Sequence, residues 1–295
     1  MPVLYPFSRV FLYTVTMTNT IYFGDNLTFL RQMPSESIDL IYIDPPFNTG
    51  RAQGRTRVKT VRAEDGEGDR TGFGGESYKT ITLGHSAYAD DFDDFQAFLE
   101  PRLQEAYRLL KPNGSLYFHI DYREAHYCKI LLDGIFGRDN FLNEIIWAYD
   151  YGGRSKKRWP AKHDTIFLYV KDPEHYTFNW EEVERIPYMA PGLVSEEKRQ
   201  RGKFPTDVWW HTIVATNGKE KTGYPTQKPL GVLRRILQAS ANPGDVVLDF
   251  FAGSGTTGEA ALERGCSFIL MDNNPEALRV MRERFDGVAV EWVEE

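Results

Sequence analysis

The sequence predicts an α/β protein built on a doubly wound, mostly parallel sheet, and three observations point there. Apolar strand-like runs alternate with amphipathic helical ones along most of the 295 residues. One run, "SIDLIYID" at 37–44, is apolar almost without a break, as expected for a strand buried on both faces. Another, "VVLDFFAGSG", passes from an apolar strand into a glycine-rich turn and then a helix, the form of a ligand-binding βα unit.

Taken in order, residues 1–16 are apolar but interrupted by Arg9, too short to span a bilayer, and without the pattern of a secretory signal. They read as an extension ahead of the domain, which opens at Met17 with "MTNTIYFGDN". "TIYFGD" (20–25) is a strand, "NLTFLRQMP" a short helix, and 37–44 the next strand. Residues 50–90 lose hydrophobic periodicity and read as a long loop or lid. "DDFDDFQAFLEPRLQEAYRLLKPNG" is a helix with Phe95, Phe98, Leu99, Leu103, Ala106 and Leu110 on one stripe and Pro-Asn-Gly as its stop. "SLYFHID" (115–121) is a strand, "YREAHYCKILLDGIFG" a helix, and "FLNEIIWAY" and "HDTIFLYVK" a strand pair. The division that follows is a catalytic half at 17–150, a hairpin and inserted recognition segment at 151–222, and a second half of the core at 223–295. In that last part "KPLGVLRRILQASANPGD" is a helix with Pro near its start and Pro-Gly after its end. Two strand–turn–helix units, starting at "VVLDFF" and "CSFILMD", complete it.

Net charge is −7, so no global positive field holds a polyanion. Basic residues nevertheless cluster at Arg51–Arg62, at Arg154, Lys156, Lys157, Arg158 and Lys162, and at Lys198–Lys203, which suits a locally basic groove. Cys128 and Cys266 lack any metal-ligand spacing, so no metal site is expected and a reducing cytoplasm suits the chain.

The turn at Gly253 and Gly255 allows close backbone approach at a helix start, and Asp272 ends the next strand roughly twenty residues beyond Asp249, the spacing that places an acid on ribose hydroxyls. A full dinucleotide fingerprint is missing, and an acid ahead of the glycines suits a cationic ligand better than a phosphate. "DPPF" at 44–47, followed far downstream by "YPTQKP" and "DFFAGSGTT", resembles the β group of amino-directed DNA methyltransferases, which use S-adenosylmethionine. The resemblance covers most of 20–285 and leaves 50–90 and 172–222 without transferable assignments. It implies the methyltransferase sheet in circularly permuted order, with an inserted DNA-recognition segment.

The resemblance implies roles at specific positions. Asp44 and the Pro45 carbonyl hold the target amine, Pro46 stiffens the corner, and Phe47 stacks on a base turned out of the duplex. Asn48 and Thr49 shape the base pocket. Asp25, Thr226, Lys228, Asp249, Phe250, Ala252, Gly253, Ser254, Gly255 and Asp272 form the cofactor pocket. His119 and Asp121 end a strand at the same edge and either line the crevice or are ordinary strand-end residues. Tyr151, Lys156, Lys157, Arg158 and Trp159 interleave charge with aromatic rings as a DNA contact would. The implied partner is double-stranded DNA, with no membrane and with homodimerisation left open. Asp44 and Phe47 favour adenine N6 within the family, where cytosine-N4 enzymes more often begin the motif with Ser. Cytosine N4 is the runner-up, and a catalytically silent DNA- or cofactor-binding partner subunit is the rival of another class.

Overall fold

A computed structural model describes residues 18–48, 53–62, 70–71, 77–88, 92, 94–152, 154–215 and 218–295. Its main sheet is built from β1 (Asn19–Phe23), β2 (Ile38–Ile43), β6 (Leu110–Ile120), β7 (Phe141–Ala148), β8 (His163–Val170), β9 (Val208–Trp210), β10 (Val246–Asp249), β11 (Ser267–Asp272) and β12 (Val290–Glu294). The strand order is β12-β1-β11-β10-β2-β6-β8-β7-β9, and only β8 runs against its neighbours.

Two apolar clusters cover the two faces, as double winding requires. Helices α1 (Asn26–Gln32), α2 (Phe95–Leu109) and α3 (Ala125–Phe136) bring Leu30, Leu99, Leu103 and Leu132 against Ile41, Ile43, Leu116 and Phe118. Helices α5 (Leu230–Ser240), α6 (Thr256–Arg264) and α7 (Pro275–Arg284) bring Leu233, Ile236, Ala260 and Val280 against Leu40, Tyr42, Tyr117 and Val247. Alternate residues of β2 serve opposite faces, and all six are buried. The one acid among them, Asp39, accepts from Lys111 and from the Val246 amide at 2.9 Å, which ties the starts of β2, β6 and β10 together. The polar group is satisfied inside an apolar strand, so its burial is tolerable.

The expected elements recur, with four differences. Residues 50–90, expected to be a loop or lid, contain β3 (Gln53–Arg62), β4 (Arg70–Thr71) and β5 (Ser77–Tyr88), an antiparallel sheet in the order β3-β5-β4. "RTRVKTVR" mostly sets charged against β-branched residues, and "YKTITL" is Thr-rich with one Lys, so no apolar signal stands out. Pro-Asn-Gly after α2 is no stop followed by a loop: β6 already begins at Leu110, and a register shift between Ile38 and Leu40 absorbs the irregularity. The boundary at residue 151 cuts through the core, because β8 sits between β6 and β7 in the main sheet and β9 extends it. Beyond them, 172–222 carries only short elements, including α4 (Glu196–Arg201). Finally, β12 caps the edge beside β1. The expected extension at 1–16 lies outside the described residues. Among the described residues no helix is long and apolar enough to cross a membrane.

Candidate active site

The chain leaves β10 toward β11 on one side of the sheet and leaves β2 toward β6 on the other, so the direction of winding reverses between β10 and β2. These two strands pair in parallel, with Val247 opposite Leu40 and Leu248 opposite Ile41. Their carboxyl ends therefore open side by side, where an open α/β sheet leaves a crevice. A cavity of about 510 Å³ occupies that position, within the range of small-molecule sites. Asp44, Pro45, Pro46 and Phe47 line it from β2, and Asp249, Phe250, Ala252, Gly253 and Ser254 from β10. Asp25, Thr226, Lys228 and Asp272 also face it. Residues from opposite ends of the chain thus meet in one pocket.

On the β2 side, Asp44 forms an ion pair through Oδ2 with Lys228, both side chains being largely buried. Its Oδ1 is buried and accepts no hydrogen bond among the described residues. The Lys228 ammonium also stands 5.1 Å from the centre of the Phe47 ring. Sequence alone put Lys228 in the cofactor pocket; its contact here is with the acid of the other half.

On the β10 side, Asp249 is 2% exposed. Burial pushes its carboxyl up to about 7, opposed by hydrogen bonds from the Thr257 hydroxyl at 2.6 Å and the Phe251 amide at 3.0 Å. Asp272 accepts from the Gly253 amide at 2.8 Å and the Asn274 amide at 2.8 Å, and burial raises its carboxyl as well. Gly253 has φ +51° and lies so close to Tyr224 that a Cβ would stand 3.1 Å from the ring, so the turn needs glycine there. Asp25 caps α1 and pairs with Arg102 at 2.9 Å, so the plain role of a turn acid is realised alongside its place on the cavity wall.

The remaining predicted residues differ in placement. Gly255 is off the cavity wall: its φ is +75°, and a Cβ would stand 3.0 Å from Met281 and from Phe285, so it serves the packing of α7 under the turn. Ser254 is buried, its hydroxyl 3.0 Å from that of Thr256. Asn48 is off the wall too; at φ +50° it donates to Glu124 and accepts from the Phe92 amide, clamping the two ends of the 50–90 insertion. Thr49 lies outside the described residues. Tyr151, Lys156, Lys157, Arg158 and Trp159 are exposed on the β7–β8 connection, away from the cavity wall. Trp159 is 95% exposed, and Arg158 reaches the Tyr122 hydroxyl beside the end of β6 at 3.4 Å.

Several wall residues carried no sequence assignment, among them Tyr224, Asn274 and Arg123. Tyr224 underlies Gly253, Asn274 caps α7, and Arg123 grips the Asp121 carboxylate just beyond β6. Tyr224 lies within the quoted "YPTQKP"; Asn274 and Arg123 follow strand ends, where any polar residue is unremarkable.

The donor set fits a cationic ligand with a sugar: several carboxylates, aromatic walls and a turn open to close approach. The family model described as DNA methylase matches residues 38–283. The DNA adenine methyltransferase YhdJ of Escherichia coli (strain K12) is 32% identical over 277 residues, spanning 90% of this chain and 82% of its own. Among solved structures, the complex of M1.HpyAVI with SAM has a TM-score of 0.57 at 21% identity, covering 90% of this chain and 98% of that one. The cytosine-N4-specific PvuII DNA methyltransferase has a TM-score of 0.62 at 18% identity, covering 91% of this chain and 86% of that one.

Proposed function

We propose, for a chain that belongs to the N6/N4 DNA methylase family, that it methylates adenine N6 in double-stranded DNA. The observation that carries this reading is the meeting of the Asp44–Phe47 corner and the Asp249–Asp272 unit in one cavity at the switch point of the sheet. The order of the two strands in the chain, β2 long before β10, supports the permuted arrangement. Adenine is favoured by the Asp-Pro-Pro-Phe corner and by likeness to an adenine methyltransferase at 32% identity.

S-adenosylmethionine supplies an electrophilic methyl group when bound. Asp272 and Asp25 are the acids placed to hold its ribose and base side, and Asp249 together with the 252–254 turn its amino-acid side. The rest of the chemistry falls to the β2 corner. An exocyclic amine is a poor nucleophile because its lone pair is delocalised into the ring. Asp44 accepts one amino hydrogen and the Pro45 carbonyl the other, which turns the lone pair out of the ring plane and toward the methyl donor. Lys228 supplies the counter-charge that makes a buried Asp44 tolerable. Phe47 covers the extruded base, offsetting part of the few kcal/mol that unstacking costs. The exposed residues of the β7–β8 connection, Tyr151 and Lys156–Trp159, and the segment after β8 contact the duplex around the target.

The test is incubation with labelled S-adenosylmethionine and duplex DNA, digestion to nucleosides and identification of the labelled one. N6-methyladenine is the expected product. N4-methylcytosine would overturn the choice of base, and a protein that binds cofactor and DNA but labels neither would be a silent partner.

A further inference from the structure

The face of the sheet that packs on α5 is apolar until it nears the carboxyl edge, where it turns polar. Tyr42 pairs with Tyr117 and Ile43 with Phe118, so the register sets His119 beside Asp44 on that face. His119 pairs with Ile166 and Trp147 with Asp164, which brings Asp164 to the same place from β8. His119 is wholly buried and both ring nitrogens are engaged. Nε2 lies 3.3 Å from Asp164 Oδ2, and Nδ1 lies 2.8 Å from the Tyr42 hydroxyl. Asp164 in turn accepts from the Tyr149 hydroxyl at 3.0 Å. Burial alone would push the Asp164 carboxyl up; its hydrogen bond to His119 and the nearby charge hold it below the usual range. A carboxylate only accepts, so Nε2 is the donor to Asp164, while Nδ1 shares a hydrogen bond with the Tyr42 hydroxyl.

The ring so fixed touches both working parts of the catalytic corner. Nδ1 stands 3.7 Å from Asp44 Oδ1, the carboxylate oxygen that has no hydrogen bond. The Phe47 ring centre lies 5.9 Å from the imidazole, which Trp147 closes from another side at 5.5 Å. Asp44 thus has Lys228 on one oxygen and the wall of a doubly anchored imidazole against the other. Tyr149, at the mouth of the β7–β8 connection, is the last link of the chain.

We propose that His119, oriented by Asp164 and Tyr42, is the positioning residue that sets Asp44 and Phe47 for transfer, and that Tyr149 ties this placement to the β7–β8 connection. The inference rests on the functional reading above. A misplacement of about 1 Å in such a site lowers the rate about 100-fold, whereas a histidine that merely fills the core would move stability and leave the rate per folded molecule alone.

The experiment compares single-turnover methylation of duplex DNA with S-adenosylmethionine affinity by calorimetry and melting temperature, all on the full chain. His119→Ala and Asp164→Asn are expected to slow transfer by roughly 30- to 100-fold while cofactor affinity stays within about threefold. His119→Asn, whose amide can meet Tyr42 where Nδ1 does, should recover about tenfold over His119→Ala at similar melting temperature. Tyr149→Phe removes one hydroxyl and opens no cavity, and should cost about fivefold in rate. Transfer within about twofold of wild type in Asp164→Asn and Tyr149→Phe would overturn the proposal. So would a loss at His119 that follows melting temperature and is not recovered by Asn. A wild-type protein that transfers no methyl group to DNA would overturn the functional reading itself, and this inference with it.

Discussion

Asp249→Asn should abolish a pH dependence of cofactor binding that the wild-type protein shows around neutrality. Burial places the Asp249 carboxyl at about 7, so it changes charge in the working range. A sulfonium ligand gains from the ionised carboxylate and little from the neutral acid. The ionised fraction rises from about one tenth at about pH 6 to about nine tenths at about pH 8, so wild-type affinity should tighten roughly tenfold across that interval. Stability moves the other way. The folded-state value lies above the ordinary 3.8, so the contribution of this group is fully present below about pH 4 and is lost as pH rises through about 7, an effect of about 4 kcal/mol. The ligand-free wild-type protein should therefore lose more stability than Asp249→Asn between about pH 5 and about pH 8. Calorimetric titration with S-adenosylmethionine at three pH values, on both proteins, reads the first effect, and melting curves read the second. A flat wild-type affinity, or an equal slope in Asp249→Asn, would refute the reasoning.

Lys228→Met strips the counter-charge from the Asp44 carboxylate; breaking a buried pair of this kind costs about 3–5 kcal/mol, so denaturant unfolding should show a lower midpoint and transfer should slow. Phe47→Ala removes the ring proposed to cover the base, and loss of about 1–3 kcal/mol of stacking should weaken productive DNA binding by one to two orders of magnitude with cofactor affinity unchanged, read by fluorescence of a base analogue at the target position. Gly255→Ala combines a φ of +75° with a Cβ 3.0 Å from Met281 and Phe285, and should destabilise the fold by about 1–3 kcal/mol in urea unfolding.

The parts legible in the sequence are those where one residue type answers one physical demand. An unbroken apolar run means a doubly covered strand, so β2 was readable; glycines before a helix mean a turn of positive φ, so the Gly253–Gly255 turn was too. Two strand ends carry motifs that stand out in the sequence, but that they are neighbours leaves no local trace across some two hundred residues. The sequence puts Lys228 in the cavity but names no partner for it, because which acid a lysine reaches depends on packing across the crevice. The sequence leaves His119 open between a crevice residue and an ordinary strand-end one and singles out nothing at Asp164, because only the antiparallel register of β8 brings the two together. The β3–β5 sheet escapes a sequence reading because "RTRVKTVR" and "YKTITL" carry no sustained apolar run.

On the proposed reading, acceptor and donor chemistry lie on opposite walls of one cavity and can be separated. Asp44→Asn keeps the shape of the corner and removes the carboxylate proposed to accept the amino hydrogen. Measured side by side, its single-turnover methylation of DNA should fall by at least about 100-fold, while its affinity for S-adenosylmethionine stays within about threefold of wild type. Transfer at the wild-type rate, or a loss of cofactor binding as large as the loss of transfer, would contradict it.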